Sequence, residues 1–367
     1  MGPLKSLGEF SLTDLESVWL ILRGGSVIDW RRLHFQDEAE ADAFLASQGY
    51  DADRRGDRDR LAQIKAAAID YLRRQFDFPI PRPVERASVV ELLRVASGKG
   101  HRQLCACAIL KAMHIIHHVE ARELLYSLAM SDEELFRLVE QRVYRLVGQM
   151  LSDGLPITEF VGGRKRRDSV YTKLLSKREA HASAIYDKLR FRIVTRSKDD
   201  LLPVLLYLGR HLFPFNYVVP GETINTMFQF RSYCRDHPHL SALLKKVQQD
   251  VADDLKVSEN QFSAESYRIL HFVVDLPVRV PDDVMLRVAP RVRALGPVVF
   301  GLSEFQLVDQ QTEEANELGD ASHASYKARQ REAVMDRLKL GARSGRKDAT
   351  AAPRGSQRGS QRGRRGS

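Results

Sequence analysis

Cysteine is scarce in this chain: Cys105, Cys107 and Cys234 are an odd number with no C-x-x-C pair. That usage argues against a zinc ribbon or a disulfide scaffold and predicts reduced thiols. No secretory leader pattern and no run of about 18 apolar residues is visible, so the sequence predicts a soluble, cytoplasmic protein with no membrane partner. Excess charge is also scarce once it is localised. The net charge is +9, but Gly341 to Ser367 holds eight Arg or Lys against the single acid Asp348, leaving +2 for the first 340 residues. The folded part is nearly balanced, so the overall charge is no argument for DNA binding.

What is present suffices for ordinary cores, with 43% hydrophobic residues, and 367 residues predict two domains plus extras. Residues 1–153 read as helices throughout. Thr13 with Glu16 reads as a capping box, and Gly24-Gly25 ends that first helix. Further helical patterns cover Asp37 to Gln48, Asp59 to Phe76, Ser88 to Ser97 and Arg102 to Ala129, and Ser131 with Glu134 caps another running to about Leu151. Phe78 to Arg86 (FPIPRPVER) reads as an extended connector, because its prolines block helix. Gly98-Lys99-Gly100 lacks the spacing of a phosphate-binding loop and reads as a turn. His114 and His118 form an i, i+4 pair that could ligate a metal, but no third ligand is identifiable, so packed or partner-bonded histidines are expected.

From residue 154 to about 340 the pattern alternates between helix and strand. Strands are expected at Arg190 to Arg196, Ser266 to Val280 and Val298 to Val308, and helices at Leu201 to Leu212 and Thr312 to Leu338. The fold class expected is α/β (α+β): an all-helical N-terminal domain, then a mixed sheet flanked by helices. The tail, 341–367, is expected to be disordered and rich in Arg and Gly, with RNA a candidate contact.

The stretch GGRKRRDSVYTKLLSK, Gly162 to Lys177, concentrates cations. If Asp168 caps a helix, Ser169, Lys173 and Lys177 fall at i, i+4 and i+8 on one stripe, and Arg164 and Lys165 crowd the helix N-terminus, where an anion is favoured. Later, Glu304 and Gln306 alternate with Phe305 and Leu307, which puts a carboxylate on the sheet face opposite the apolar one. Tyr267 and His271 share a face of another strand. Asp187, just before a strand, and Glu304 are two acids on separate elements, a set that can hold magnesium while substrate phosphates complete its shell. Cations to neutralise phosphates and a Tyr ring to stack a base complete an inventory suited to phosphoryl or pyrophosphoryl transfer.

In this order and spacing the residues resemble the synthetase domain of the RelA/SpoT family, which makes guanosine tetra- and pentaphosphate alarmones. The resemblance spans about Gly163 to Lys327. Lys165, Ser169, Tyr171 and Lys173 look like the family's basic ATP-site motif, and Asp187 with Arg192-Ile193 looks like its metal-binding acid leading into a strand. Tyr267 and His271 look like its acceptor loop, Glu304-Phe305-Gln306 like its second metal acid, and Glu317 to Lys327 like the helix that follows. The resemblance implies Mg2+-dependent transfer of pyrophosphate from ATP to a ribose 3′-hydroxyl, of GTP or GDP or of another acceptor. It implies that Arg164, Lys165, Ser169 and Lys173 bind ATP, that Asp187 and Glu304 hold the metal and carry catalysis, and that Tyr267, His271 and Gln306 bind the acceptor.

The departures are concentrated on the acceptor side; near the donor site Arg164 sits one residue closer to Lys165, and Asp187 one residue later, than the family pattern. Glu265-Ser266 replaces the family's Asn-Gly, Val308-Asp309 stands where a basic residue is expected, and an insertion covers about 221–261. Two alternatives therefore stay open, pyrophosphorylation of another acceptor such as the tRNA 3′ end and a nucleotide-binding regulatory module without catalysis. The metal-dependent hydrolase of longer relatives needs a His-Asp pair, whereas His118 is followed by Val119-Glu120, so a synthetase without hydrolase activity is expected.

Overall fold

The computed structural model describes residues 4–23, 35–176, 188–227, 229–246, 264 and 266–348, with side chains in the last helix described as far as Leu338. Seven helices come first: α1 (Leu12–Arg23), α2 (Glu38–Ser47), α3 (Arg55–Phe76), α4 (Arg82–Arg86), α5 (Val89–Ala96), α6 (His101–Ser127) and α7 (Asp132–Ser152). Then come β1 (Ile157–Arg164), α8 (Arg167–Ser176), β2 (Leu189–Thr195), α9 (Leu201–His211), β3 (Ile224–Asn225), α10 (Phe230–Asp236) and α11 (Pro238–Leu244). The chain continues through β4 (Leu270–Arg279), α12 (Asp282–Met285), α13 (Pro290–Arg293), β5 (Val298–Asp309), α14 (Gln310–Asn316) and α15 (His323–Asp348). The fold is thus mixed α/β, a helical region followed by a five-stranded sheet in the order β1-β2-β5-β4-β3. Among the described strands, only β2 and β5 run parallel; the other pairs are antiparallel.

Local chemistry explains most helix starts. Ser88 with Glu91 and Ser131 with Glu134 form reciprocal capping boxes ahead of α5 and α7. At α1 the box is Ser11 with Asp14, two residues before the expected Thr13 and Glu16: Ser11 N–H donates to Asp14 Oδ2 at 2.9 Å, and Asp14 N–H donates to Ser11 Oγ at 3.2 Å. Gly24-Gly25 lies outside the described residues. The connector Phe78 to Arg86 is helical in its second half, because Pro83 falls in the first turn of α4, where its missing N–H costs nothing.

The sheet's two faces differ in kind. Across one face run Gly162, Phe191, Phe305 and Phe272, in register from β1 through β2 and β5 to β4. The Phe305 and Phe272 rings stack at 5.7 Å. α7 lies on this face, and two glycines let it approach: a Cβ on Gly162 would sit 2.8 Å from the Tyr144 ring, and one on Gly301 would sit 2.6 Å from a Val139 methyl. Across the other face runs the polar row Val161, Arg192, Gln306 and His271, beside Gly163, Arg190, Glu304 and Val273. One hydrophobic cluster takes in side chains of the first seven helices and of the sheet.

Four elements differ from expectation. β4 begins at Leu270, not at Ser266, so Tyr267 lies ahead of the strand and shares no strand face with His271. β1 is not among the expected strands; its alternation is masked by Gly162 and Gly163, and the cations after it suggest a helix start. The helix expected over Thr312 to Leu338 is broken at Leu318-Gly319, where Gly319 takes φ +60°, so α14 and α15 are separate. α15 runs on through Asp348, so 341–348 is helical where the tail was expected to begin; 349–367 lies outside the described residues.

Of the expected insertion, β3 joins the sheet edge with Ile224 opposite His271, while α10 and α11 pack on the N-terminal region. Phe230 of α10 stacks on Trp19 of α1 at 5.0 Å, and His239 Nε2 of α11 is 2.7 Å from Phe10 O. α6 is the one helix among the described residues long and apolar enough by length and mean composition to cross a membrane, and half of that stretch is buried inside the molecule.

Candidate active site

The polar face of the sheet gathers the chemistry-bearing side chains. Glu304, in the middle of β5, is buried at 5% exposure, and Gln306, two residues on, is buried beside it. Strand alternation puts both side chains on one face, and Gln306 Nε2 donates to Glu304 Oε1. His271 lies opposite Gln306 on β4, with its Nε2 3.3 Å from Glu304 Oε1. Glu304 is therefore held from two sides in one orientation.

Arg192 of β2 lies opposite Gln306 on the other flank and joins the remaining groups. Its Nε donates to Gln306 Oε1 at 3.0 Å, one terminal nitrogen pairs with Glu313 of α14, and the other donates to the Tyr267 hydroxyl at 3.3 Å. Burial works against the Arg192 charge, but Tyr267 and Glu313 outweigh it and hold its pKa above the ordinary arginine value. Tyr267 is pushed up by burial, with Arg192 opposing. At the start of α15, His323 is pushed down, by burial first and then by Lys327 and Arg190. Two polar atoms in this group are buried without a hydrogen-bond partner, His271 Nδ1 and Glu313 Oε2.

The basic stretch splits between the two faces. Arg164 goes to the wrong side for the expected ATP role: it pairs with Leu189 in the register of the apolar face, bonds Glu140 of α7 through Nε and Nη2 at 3.0 and 2.8 Å, and lies over the Phe136 ring. Lys165 continues the strand pairing, its N–H donating to Lys188 O at 2.9 Å. By alternation it joins Gly163 and Arg190 on the polar face.

Ser169 and Lys173 lie four apart on α8, as expected. That helix starts at Arg167, so Asp168 sits inside its first turn and does not precede it as a cap. α8 docks on α15, where the buried Gln330 side chain donates to Ser176 Oγ at 3.3 Å. Asp187, Lys177 and Glu265 lie outside the described residues.

The structure thus brings together Glu304, Gln306, His271 and Tyr267, extends Lys165 onto their side, and takes Arg164 away. Arg190 as a face residue, Arg192 as the hub, and Glu313 and Asn316 as members of the site are not among the residues expected from the sequence. The alternation LRFR in Leu189 to Arg192 carried a signal for the two arginines; nothing local marked the α14 residues. Among the described residues, no group of three or more His, Cys, Asp or Glu gathers as a metal site. Glu304 fits one oxygen ligand of a hard cation, since Gln306 and His271 fix its carboxylate as outer-shell groups do.

His114, His117 and His118 of α6 are packed and partnered, as expected. Tyr50 Oη and His117 Nε2 are 2.9 Å apart, Asn216 Nδ2 and His114 Nδ1 are 3.1 Å apart, and His118 stacks on Phe300 at 4.1 Å. His118 also lies 3.6 Å from Asp275, whose carboxyl burial raises to about 6.

No family model matches this chain, and no curated protein does. Among solved structures the chain is similar to small alarmone synthetase 1 from Bacillus subtilis bound to its product pppGpp, at 16% identity and a TM-score of 0.31, over 60% of this chain and 100% of that one. It is also similar to a GTP pyrophosphokinase family protein from Streptococcus pneumoniae, at 15% identity and a TM-score of 0.29, over 59% of this chain and 93% of that one. Small alarmone synthetase 2 from Bacillus subtilis is similar at 15% identity and a TM-score of 0.28, over 58% of this chain and 97% of that one. Likenesses of this size carry no functional weight, and the function is argued below from the side chains.

Proposed function

We propose that this chain is an ATP-dependent pyrophosphokinase that passes pyrophosphate to the ribose 3′-hydroxyl of a guanosine nucleotide, GTP or GDP, and releases AMP. The observation that carries this reading is the polar sheet face, where the buried acid Glu304 is held by Gln306 and His271, and Arg192 links Gln306 to Tyr267. Transfer between two phosphate-bearing substrates needs neutralising cations, a group near the attacking hydroxyl and a surface for a base, with positioning supplying most of the rate.

In this reading Lys165, Ser169 and Lys173 hold the ATP phosphates, Lys173 and Ser169 from one face of α8. Tyr267 stacks on the acceptor base, while His271 and Gln306 orient the ribose end. Glu304 takes the proton of the 3′-hydroxyl as it attacks. Glu304 and Asp187 would hold Mg2+, which would supply further neutralisation of phosphate charge. The acceptor hydroxyl oxygen forms the new bond to the β-phosphorus of ATP, the bond from that phosphorus to the α–β bridging oxygen breaks, and AMP carries that oxygen away.

Purified chain with magnesium, labelled ATP and GTP, GDP, ATP or bulk tRNA in turn tests this. AMP release with a guanosine nucleotide is the expected result. Release with tRNA alone would move the acceptor assignment, and no release with any acceptor contradicts the reading.

A further inference from the structure

Both ends of Tyr267 are tied to α14, a helix that follows Glu304 on the same unbroken stretch of chain. Asn316, the last residue of α14, is buried at 3% exposure. Its Oδ1 accepts the Arg268 N–H at 3.0 Å and its Nδ2 donates to Arg268 O at 2.7 Å, so one side-chain amide uses both backbone polar groups of the residue beside Tyr267. The next residue is fixed by Thr226, just beyond β3: Ile269 N–H donates to Thr226 Oγ1 at 2.8 Å, and Thr226 N–H donates to Ile269 O at 2.9 Å. At the other end of the side chain, the Tyr267 hydroxyl accepts from Arg192, and Arg192 pairs with Glu313, three residues before Asn316 on α14. The helix itself is anchored by Asp309, the last residue of β5, which accepts from Thr312 N at 3.1 Å and from Thr312 Oγ1 at 2.6 Å.

We propose that α14 sets the acceptor subsite, with Asn316 and Glu313 as positioning residues for Tyr267. The physical basis is continuity: Glu304, Gln306, Asp309, Glu313 and Asn316 lie on one strand-to-helix element. The acid near the attacking hydroxyl and the clamp on the base-stacking residue therefore cannot drift apart without breaking the β5 pairing or the α14 cap. A nucleoside spans its base and its 3′-hydroxyl at a nearly constant distance, and a rigid element that fixes both contact points selects for that span. Asn316 acts on the backbone and Glu313 acts through Arg192; neither needs to touch the substrate. This proposal rests on the reading of Tyr267 as the acceptor-base residue.

Equilibrium binding of GDP and of a non-hydrolysable ATP analogue to the full chain, read by calorimetry, tests it without requiring turnover. Asn316→Ala is expected to weaken GDP about tenfold and the ATP analogue by less than about twofold, with Tyr267→Ala weakening GDP at least as much. Hydrogen exchange at the Arg268 amide should quicken in Asn316→Ala. Equal weakening of both ligands, the mark of general loosening, overturns the proposal. If Asn316→Ala binds GDP normally while Tyr267→Ala does not, the role of α14 falls and the reading of the site survives. If Tyr267→Ala leaves GDP binding unchanged, or the unmodified chain does not bind GDP, the site reading falls and the proposal with it.

Discussion

Among single residues, Glu304 and Arg164 make opposite predictions. Glu304 is buried, oriented by two neighbours and on the polar face with Arg192. Glu304→Gln preserves the shape and removes the charge, and turnover measured as AMP release should fall at least about a hundredfold, with the melting temperature nearly unchanged. Arg164 stands in the same basic cluster as Lys165 but is spent on Glu140 across the sheet. Arg164→Ala should leave the KM for ATP nearly unchanged, whereas Lys165→Ala should raise it several-fold. Equal effects of these two substitutions would contradict the assignment of faces. The acid was legible from the alternation Glu304-Phe305-Gln306-Leu307, because period two alone sorts faces. Arg164 was misplaced because its side depends on the β1–β2 register, which no short-range pattern states.

At the scale of elements, what the sequence revealed follows from where the governing interactions lie. Helices α5 and α7 begin at Ser-x-x-Glu boxes closed within four residues, so their starts could be read directly. β1 and the split between α14 and α15 depend on partners far along the chain and on one left-handed glycine, and these were not legible. The contact of α7 with the sheet is of the same long-range kind. Gly301 reads as an unremarkable strand residue, yet a Cβ there would lie 2.6 Å from Val139. Gly301→Val should destabilise the fold by about 1–3 kcal/mol through overpacking, measured by denaturant unfolding. The same substitution at Gly163, where a Cβ meets nothing within 4 Å, should cost far less.

For the whole molecule, three histidines of α6, His114, His117 and His118, are buried where the helical region meets the sheet. Burial pushes His114 down to about 3, His118 to about 4 and His117 well below its ordinary value. A histidine whose folded pKa is depressed is stabilising while neutral, and that stability is lost as pH falls below the unfolded value near 6.5. By pH 5 each of His114 and His118 should cost about 2 kcal/mol, and His117 acts in the same direction. Asp275 acts in the other direction, because its raised pKa favours the folded state on acidification through about 6, and it offsets only part of this loss. The melting temperature should therefore drop between pH 7 and pH 5, and His117→Phe should flatten that drop. A flat profile in the unmodified chain would contradict the burial of neutral imidazoles.

The central claim is that the polar sheet face transfers pyrophosphate intact, and phosphorus NMR of the reaction with ATP, magnesium and GDP addresses it most directly. AMP and a 3′-diphosphate on the acceptor ribose should appear together in equal amounts, and Glu304→Gln should abolish both. ADP with free phosphate, or no AMP at all, would contradict it.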